Sequence, residues 1–412
     1  MFNLTYEFKL KPTQKHVAKF EQWLEINRRV YNYALGERKD WYNSRSCRIN
    51  ACSLRSEYII CADAPRPTYK SQCKALTAAK KVYPDLKTVQ SQVLQQTLKR
   101  VEIAFVAMWE RNHGFPRFKK HGRMRSFVFP QLAKNPIAQR RIKLPVVGWV
   151  KFRQSRPVPE DGTVKQARIV HRASGWYVML TVQWDVEVPR PMPHGEAVGI
   201  DVGLPPTPLY KQARGLVAMS NGLLVKRPKF FKDAERKLKW LQQRVSRKRK
   251  GSNNWNKAIG KVAKLHEYVA NTRKDWHWKL SHQICNGLGM VFVEDLNLTC
   301  LARGILGKHC LDAGFGQFFN ILQQVCFKRG VYFQSIDPRK TSQICPSCGV
   351  ETRRKDLDQR THICSNCGYA TDRDVAAAQV VLIRGLAAVG HTVKMLAEGK
   401  YIGIPMKQES PS

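Results

Sequence analysis

Residues 345–374 read CPSCGVETRRKDLDQRTHICSNCGYATDRD, and this stretch decides the fold of the C-terminal part of the chain. Two C-x-x-C pairs, Cys345/Cys348 and Cys364/Cys367, are separated by 15 residues. Four thiolates at this spacing are typical of a closed, tetrahedral zinc site. A glycine follows each pair, which suits the tight turn of a zinc knuckle. We therefore expect one structural Zn²⁺ without a catalytic role.

The charge of the whole chain indicates what kind of partner it binds. Its 412 residues include 71 Lys and Arg against 31 Asp and Glu, which gives a formal net charge of +40. A charge of this size repels itself, so a polyanion such as nucleic acid is the expected partner. No apolar run approaches the ~18–20 residues that span a bilayer, and no signal peptide is evident. We expect a cytoplasmic protein that does not bind membranes.

The first 190 or so residues are predicted to mix sheet and helix. Apolar residues recur at three- and four-residue offsets after Pro12 and again over Thr88–Trp109, which predicts two helices. From there to about Val188 the period changes to two, which predicts the strands of a small barrel or curved sheet. Three prolines within residues 189–193 then indicate a linker and a domain boundary.

Three acids in the second half occupy positions that suggest a metal site. Asp201 and Glu294 each end an apolar β-type run, and Asp374 begins a predicted helix. Desolvating a carboxylate is costly, so an acid at a buried strand end is tolerated when a cation lies beside it. Each acid alone could equally be a solvated turn residue or, like Asp372, a helix N-cap. Together they predict a site for two Mg²⁺ or Mn²⁺ ions, about 3.5–4 Å apart, of the kind used in phosphodiester hydrolysis.

These acids lie within a set of motifs that resembles the TnpB (OrfB) proteins of bacterial insertion sequences, compact relatives of the type V CRISPR nucleases. The matching motifs of the second half are Gly199-Ile200-Asp201-Val202-Gly203, Val293-Glu294-Asp295-Leu296, Asp312-Ala313-Gly314 with Phe318, Asp337-Pro338-Arg339-Lys340-Thr341-Ser342-Gln343, both cysteine pairs and Thr371-Asp372-Arg373-Asp374. Those of the first half are Arg29-Val30-Tyr31-Asn32, Gly114-Phe115-Pro116-Arg117-Phe118 and Leu144-Pro145. The resemblance covers roughly residues 4 to 388.

The resemblance implies an RNA-guided DNA endonuclease whose catalytic residues are Asp201, Glu294 and Asp374. It implies a multidomain α/β and α+β fold. A wedge-like β-barrel at residues 1–190 would carry a helical recognition insertion at about 14–110. A RuvC-like (RNase H-type) nuclease domain at 195–390 would contain the zinc ribbon at about 341–370, and a flexible tail would follow at 391–412.

The resemblance also implies the partners and the location of the protein. A monomer would bind a transposon-encoded guide RNA and a double-stranded DNA target with a short adjacent motif, at the bacterial nucleoid.

Two departures from the family pattern bear on activity. Family members continue after the last catalytic acid as D-x-N-A-A-x-N, whereas Ala376 and Val380 occupy the asparagine positions here. The stretch Pro205–Tyr210 is longer than the family pattern and is expected to be a lid or an insertion.

Basic residues are densest between Lys226 and Lys250, where 12 Lys and Arg stand against two acids. Such a run is often a solvated helix face, but Trp240, Trp255, Trp276 and Trp278 nearby favour phosphate contact and base stacking. The tryptophans could equally belong to the core. The predicted nucleic-acid contacts are Arg244, Arg247, Lys248, Arg249 and Lys250, with Arg117 and Lys119 in the first half, and Gln95 and Thr97, whose side chains suit base edges.

Two other functions remain open on the sequence. One is a transposase that joins DNA ends directly with the same three-carboxylate chemistry. The other is a non-cleaving, RNA-guided DNA-binding regulator, which the intact Asp201, Glu294 and Asp374 argue against.

Overall fold

The chain is described here from a computed structural model, which covers residues 2–46, 60–61, 63–203, 215–226, 228–304, 307–353, 355, 359–395 and 401–405. The chain divides into two compact units, unit 1 (Met1–Val188) and unit 2 (Pro189–Ser412). The expected lid at Pro205–Tyr210 lies outside the described residues. None of the helices in the described ranges is long and apolar enough to cross a membrane.

Unit 1 is built on a seven-stranded antiparallel sheet. Its strands are β1 (Phe2–Lys11), β2 (Ser126–Phe129), β3 (Ile137–Ala138), β4 (Arg141–Leu144), β5 (Gly148–Arg153), β6 (Thr163–Arg172) and β7 (Gly175–Trp184). Their spatial order is β2-β6-β7-β1-β5-β4-β3. Alternate residues of β7, from Trp176 to Val182, are buried, as the period of two predicts. Among the described strands, β2 and β3 form the two edges of the sheet, and no pairing between them closes it; the sequence predicted a small barrel or a curved sheet here.

Helices fill the connection between β1 and β2. They are α1 (Gln14–Ser46), α2 (Tyr69–Val82), a 3₁₀ helix (Pro84–Thr88) and α3 (Ser91–Arg111). The apolar face of α1 packs on the sheet, where Phe20 and Trp23 contact the ring of Phe127. Because Asn112 adopts a left-handed conformation, with φ of 52°, α3 ends there.

Unit 2 contains a five-stranded mixed sheet. Its strands are β8 (Ala197–Val202), β9 (Gly215–Met219), β10 (Leu224–Lys226), β11 (Met290–Glu294) and β12 (Tyr332–Ile336), in the order β10-β9-β8-β11-β12. Strands β8, β11 and β12 are parallel, whereas β9 runs antiparallel to both of its neighbours. Strand β11, between the other two parallel strands, is buried along its whole length, which explains why it is a continuous apolar run up to Glu294.

Helices cover both faces of this sheet. They are α4 (Phe230–Ser246), α5 (Asn253–Ile284), α6 (Leu298–Arg303), α7 (Gly307–Ala313), α8 (Phe315–Arg329) and α9 (Arg373–Ala388). Apolar residues of α5 and α8 pack against Val198 and Ile200 on one face. Leu382 and Leu386 of α9 pack with Phe292 on the other.

Two hairpins complete unit 2. The first pairs β13 (Thr361–Ile363) with β14 (Ala370–Asp372) and leads directly into α9. The second pairs β15 (His391–Met395) with β16 (Tyr401–Pro405), in the segment expected to be a flexible tail.

Candidate active site and zinc ribbon

The acids of β8 and β11 point to the face of the sheet that α9 covers. Side chains alternate along a strand, and Val198 and Ile200 of β8 pack on the opposite face against α5 and α8. Asp201 therefore points toward the α9 face. On β11, Phe292 packs with α9, so Glu294, two residues later, lies on that same face.

The parallel register places Glu294 beside Asp201. Strands β8 and β11 pair Val293 with Ile200, and the next residue of each strand is the acid. The two side chains share a hydrogen bond. Two of the three predicted catalytic acids are therefore in direct contact, although 93 positions separate them in the sequence.

Glu294 is held in a buried and specific orientation. Its side chain is 7% exposed, and the Thr341 hydroxyl donates a hydrogen bond of 2.6 Å to Oε1. Burial raises the pKa of Glu294, while the hydrogen bonds to Thr341 and Asp201 and the positive charge of Arg384 act in the opposite direction. Burial makes ionisation of Glu294 unfavourable, and a divalent cation bound beside the two carboxyl groups would relieve this cost.

The loop that carries Thr341 is fixed by α9. The Arg384 guanidinium donates from Nη1 to the backbone oxygens of Asp337 and Arg339, at 2.8 and 2.7 Å. We did not predict a role for Thr341 or Arg384 from the sequence. Thr341 lies within the quoted Asp337–Gln343 motif, which offered a signal, whereas Arg384 lies in no quoted motif.

Asp374 lies in the first turn of α9, whose N-cap is Asp372. The Asp372 carboxylate accepts from the backbone N–H groups of Asp374 and Val375, at 2.8 and 3.3 Å, which confirms the predicted cap. Asp374 and Ala378 are four residues apart and share one face of the helix. Ala378 lies directly over Gly199 of β8, so that face of α9 is turned toward the sheet.

The three acids do not form a single tight cluster. Among the described residues, the four cysteines alone form a group of three or more His, Cys, Asp or Glu side chains whose ligand atoms all lie within 4.8 Å. A two-ion site is wider than this criterion. Its ions stand about 3.5–4 Å apart and each lies about 2.1 Å from its oxygen ligands. Asp201, Glu294 and Asp374 therefore do not meet this criterion, and a two-ion site remains a prediction for them.

The apolar residues after Asp374 are part of the packed core. Ala376 and Val380 are 1% and 2% exposed. Between them in the helix, the buried Gln379 accepts from the Tyr369 hydroxyl at 2.9 Å and donates to the backbone oxygen of Ser220 at 3.4 Å. Packing and Gln379 thus fix this helix, although the family's asparagine positions are apolar.

The four cysteines form a site of the size that zinc requires. The Sγ atoms of Cys345 and Cys367 are 3.7 Å apart, and those of Cys348 and Cys364 are 3.6 Å apart. Four sulfurs about 2.3 Å from a central Zn²⁺ stand about 3.8 Å from one another. In each knuckle the glycine after the second cysteine has a positive φ, 73° at Gly349 and 72° in the other, as the tight turn needs. These residues fit Zn²⁺.

Buried basic groups lie next to the cysteines. Lys355 is 8% exposed and contacts Nδ1 of the fully buried His362. The charges of Cys345 and Cys364 raise the pKa of Lys355, although burial lowers it overall. Four thiolates around Zn²⁺ carry a net negative charge, so a buried lysine beside them is electrostatically favourable.

The residues predicted to contact nucleic acid differ in their exposure. Thr97 is 1% exposed and its hydroxyl donates to Asn27, so the prediction that it contacts a base edge is corrected. Gln95 is half-buried. Arg117 is exposed, and the Lys119 ammonium lies over the Tyr31 ring, 5.0 Å from its centroid.

The predicted nucleic-acid contacts of unit 2 lie at the end of α4 and in the turn before α5. Arg244, Arg247, Arg249 and Lys250 are exposed, and Lys248 is half-buried. The four tryptophans differ. Trp276 and Trp278 pack against the core, Trp255 is half-buried, and Trp240 is 52% exposed.

Three family models match separate parts of the chain. The OrfB family model described as "Probable transposase" matches residues 180–303, and a "Cas12f1-like, TNB domain" model matches 315–381. An OrfB "Helix-turn-helix domain" model matches residues 1–47, which here form one strand and one 33-residue helix.

Two relatives extend the match to nearly full length. "Putative RNA-guided DNA endonuclease InsQ" of Escherichia coli (strain K12) is 28% identical over 98% of this chain and 96% of its own. "Putative RNA-guided DNA endonuclease" of Streptomyces pristinaespiralis is 30% identical over 93% of this chain and 89% of its own. The chain belongs to the TnpB (OrfB) family.

A solved structure is similar in fold. The cryo-EM structure of a Cas12f1–sgRNA–target DNA complex superposes with a TM-score of 0.53, covering 90% of this chain and 83% of that one at 14% identity. Mixed α/β architecture is thus shared between the TnpB-family protein and a Cas12 effector.

Proposed function

We propose that this protein is an RNA-guided DNA endonuclease that hydrolyses phosphodiester bonds at Asp201, Glu294 and Asp374. The observation that carries the proposal is the buried Glu294, hydrogen-bonded to Asp201 on the sheet face under α9. A buried carboxyl group such as Glu294, beside the partly buried Asp201, is costly to ionise unless it binds a cation. Family membership favours nuclease chemistry for such a pair.

The topology of unit 2 supports a RuvC-like, RNase H-type domain. Counted along the chain, its five strands lie in the order 3-2-1-4-5, with only the second strand antiparallel to the others. This order puts the ends of the first and fourth strands, with Asp201 and Glu294, side by side.

The residues of the chain divide the catalytic work. Asp201, Glu294 and Asp374 would hold two Mg²⁺ or Mn²⁺ ions, whose hard character suits carboxylate oxygen. Such ions, when bound, lower the pKa of the attacking water and stabilise the leaving oxygen. Thr341 fixes one oxygen of Glu294, and Arg384 fixes the loop of Thr341. Both act as positioning residues.

The ribbon at residues 341–370 would hold one structural Zn²⁺ through Cys345, Cys348, Cys364 and Cys367. Its second strand, β14, runs into the cap of α9. Folding of the ribbon therefore positions the N-cap of α9 and, with it, Asp374 in the first turn of that helix.

Recognition of the target would rest on guide pairing, with the protein binding backbone and shape. We propose that a transposon-encoded RNA and a double-stranded target with a short adjacent motif are the partners of a monomeric protein at the bacterial nucleoid. Gln95, Arg117 and Lys119 remain the proposed contacts of unit 1. Arg244, Arg247, Lys248, Arg249 and Lys250 remain those of unit 2.

The test is plasmid cleavage by protein purified together with its RNA, which is identified by sequencing. We expect cleavage that requires Mg²⁺ and a sequence matching the RNA. Asp201→Ala should abolish cleavage and retain binding, whereas Asp295→Ala, at the exposed acid beside Glu294, should leave cleavage unchanged. Strand-transfer products formed without RNA would instead indicate a transposase. Guided binding without cleavage by the unaltered protein would indicate a regulator.

A further inference from the structure

A groove between α4 and α5 combines exposed aromatic rings with a row of cations. It encloses about 770 Å³, within the ~300–1,000 Å³ range of ligand sites. A smaller depression of about 180 Å³ continues it and shares Leu241 and Lys261 with it. The groove belongs wholly to unit 2.

Helical spacing places the relevant side chains on facing stripes. On α4, Lys237, Trp240 and Arg244 follow each other at three and four residues. On α5, Lys257, Lys261, Lys264 and Tyr268 follow at four, three and four. All seven residues line the groove or its continuation.

The two aromatic rings are unusually accessible. Trp240 is 52% exposed and Tyr268 is 66% exposed, although large aromatic side chains are usually buried in a core. The Arg244 guanidinium lies 4.7 Å from the centroid of the Trp240 ring, which orients the ring and places a positive charge beside it. Exposed rings next to cations are how proteins bind unpaired bases with their phosphates.

We propose that this groove binds single-stranded DNA, with unpaired bases stacked on Trp240 and Tyr268 and phosphates on the lysines. Residues 230–284 carry 15 Lys and Arg against four Asp and Glu, which complements a polyanion. Because duplex DNA keeps its bases stacked inside the helix, stacking of a base on these exposed rings requires an unpaired strand. The helices connect β10 to β11, within the unit that holds the carboxylates, and this location favours the DNA strand over the RNA.

The inference rests on the proposed function, because a guided nuclease separates the target strands. Its test nevertheless measures binding and not cleavage. The full chain, purified with its RNA, is titrated against a fluorescent oligothymidylate by anisotropy at several salt concentrations. Trp240→Ala combined with Tyr268→Ala should weaken binding about tenfold or more. Because stacking does not depend on counterion release, the loss should persist at high salt.

Matched variants separate the aromatic contribution from the charges. Ile259→Ala removes an apolar side chain on α5 that is 37% exposed and lies outside the groove lining, and it should leave binding unchanged. Lys261→Gln with Lys264→Gln should reduce the salt slope of log K by about 1.4. Lys274→Gln, an exposed cation of α5 away from the lining, should reduce it less.

Three results would overturn the inference. The paired aromatic variant could bind oligothymidylate as tightly as the unaltered protein. It could lose affinity for oligouridylate alone, which would make the occupant RNA. Finally, Ile259→Ala could lower the affinity for oligothymidylate as much as the paired aromatic variant does. Thermal melting of each variant confirms folding, since truncating exposed side chains should not lower the midpoint. If guided cleavage fails while these binding differences hold, the proposed function fails and the groove remains a DNA site.

Discussion

Gly199 and Ala378 lie in direct backbone contact: a Cβ atom added to Gly199 would stand 2.1 Å from the carbonyl oxygen of Ala378. This close approach seats α9 on β8, two residues before Asp201 and one helical turn after Asp374. The glycine therefore sets the spacing between the elements that carry Asp201 and Asp374, two of the proposed catalytic acids.

Gly199→Ala should force α9 away from the sheet. Because backbone atoms cannot yield as a flexible side chain can, we expect destabilisation of about 1–3 kcal/mol and a loss of cleavage. Gly203→Ala is the matched control, since a Cβ there meets no atom within 4 Å. Urea denaturation and plasmid cleavage measure both variants. Equal stability of the two would contradict the packing argument.

Thr341→Val should impair catalysis while the fold is retained. The change removes the hydrogen bond to Glu294 Oε1 and keeps the shape of the side chain. Positioning groups around metal ligands typically contribute 10–100-fold to activity or metal affinity, so we expect a loss of about that size. The Mg²⁺ concentration for half-maximal cleavage should rise as well.

Two companion variants control this experiment. Thr341→Ser keeps the hydroxyl and should recover most of the activity. Thr352→Val removes a hydroxyl that donates to Gln343, elsewhere in the same ribbon, and should not change the Mg²⁺ dependence. A Thr341→Val protein with an unaltered Mg²⁺ requirement would remove Thr341 from the site.

Glu294→Gln should stabilise the protein in the absence of divalent ions. Burial raises the folded-state pKa of Glu294 above its usual 4.5. Because the pKa of Glu294 is higher in the folded state than in the unfolded state, protonation of this residue stabilises the folded protein. This stabilisation is complete below the unfolded-state pKa and is lost as the pH rises through the folded-state pKa. The thermal midpoints of the two proteins should thus be closest near pH 4 and diverge toward pH 7, with the glutamine variant higher.

Adding Mg²⁺ should reverse this order. Bound cations stabilise the folded protein by mass action, and the variant has lost one carboxylate ligand. Thermal melts in metal-depleted and Mg²⁺-containing buffer measure the effect. The interpretation fails if wild-type stability is independent of Mg²⁺ and equals that of the variant at neutral pH.

Cys345→Ser should release zinc and unfold the ribbon. Structural zinc contributes on the order of 10 kcal/mol to the folding of such small modules, and this ribbon leads into the cap of Asp374. We expect loss of bound zinc, protease sensitivity within residues 341–370 and loss of cleavage. Cys300→Ser, at an exposed cysteine outside the cluster, should change none of these. Full activity without zinc would refute the assigned role.

Local sequence patterns were sufficient to predict many of the helices and strands, but not which strands pair with one another. The period-two run of β7 and the apolar run of β11 were predicted correctly, as was the N-cap role of Asp372. Strand β9 and helix α8 were not predicted. The sequence left a small barrel and a curved sheet open for unit 1, because closure depends on pairing between edge strands that no local pattern reports.

Side-chain roles on a helix surface were harder still. Thr97 has the hydroxyl that suits a base edge, yet it is buried against Asn27 of another helix. Trp240 and Trp276 look alike in sequence, and one is exposed while the other packs on the core. Which face of a helix is covered depends on its neighbours and not on the residue itself.

The sequence by itself predicted the four cysteines that the structure brings together and the three acids proposed as catalytic, because ligand spacing and the rarity of acids in apolar strands are local properties. Tertiary structure alone decided that Asp201 and Glu294 share a hydrogen bond, that Thr341 donates to Glu294, and that Trp240 and Tyr268 line one groove. These contacts join residues far apart in the chain. Long-range packing, with the burial and close approach it imposes, is what brings them together.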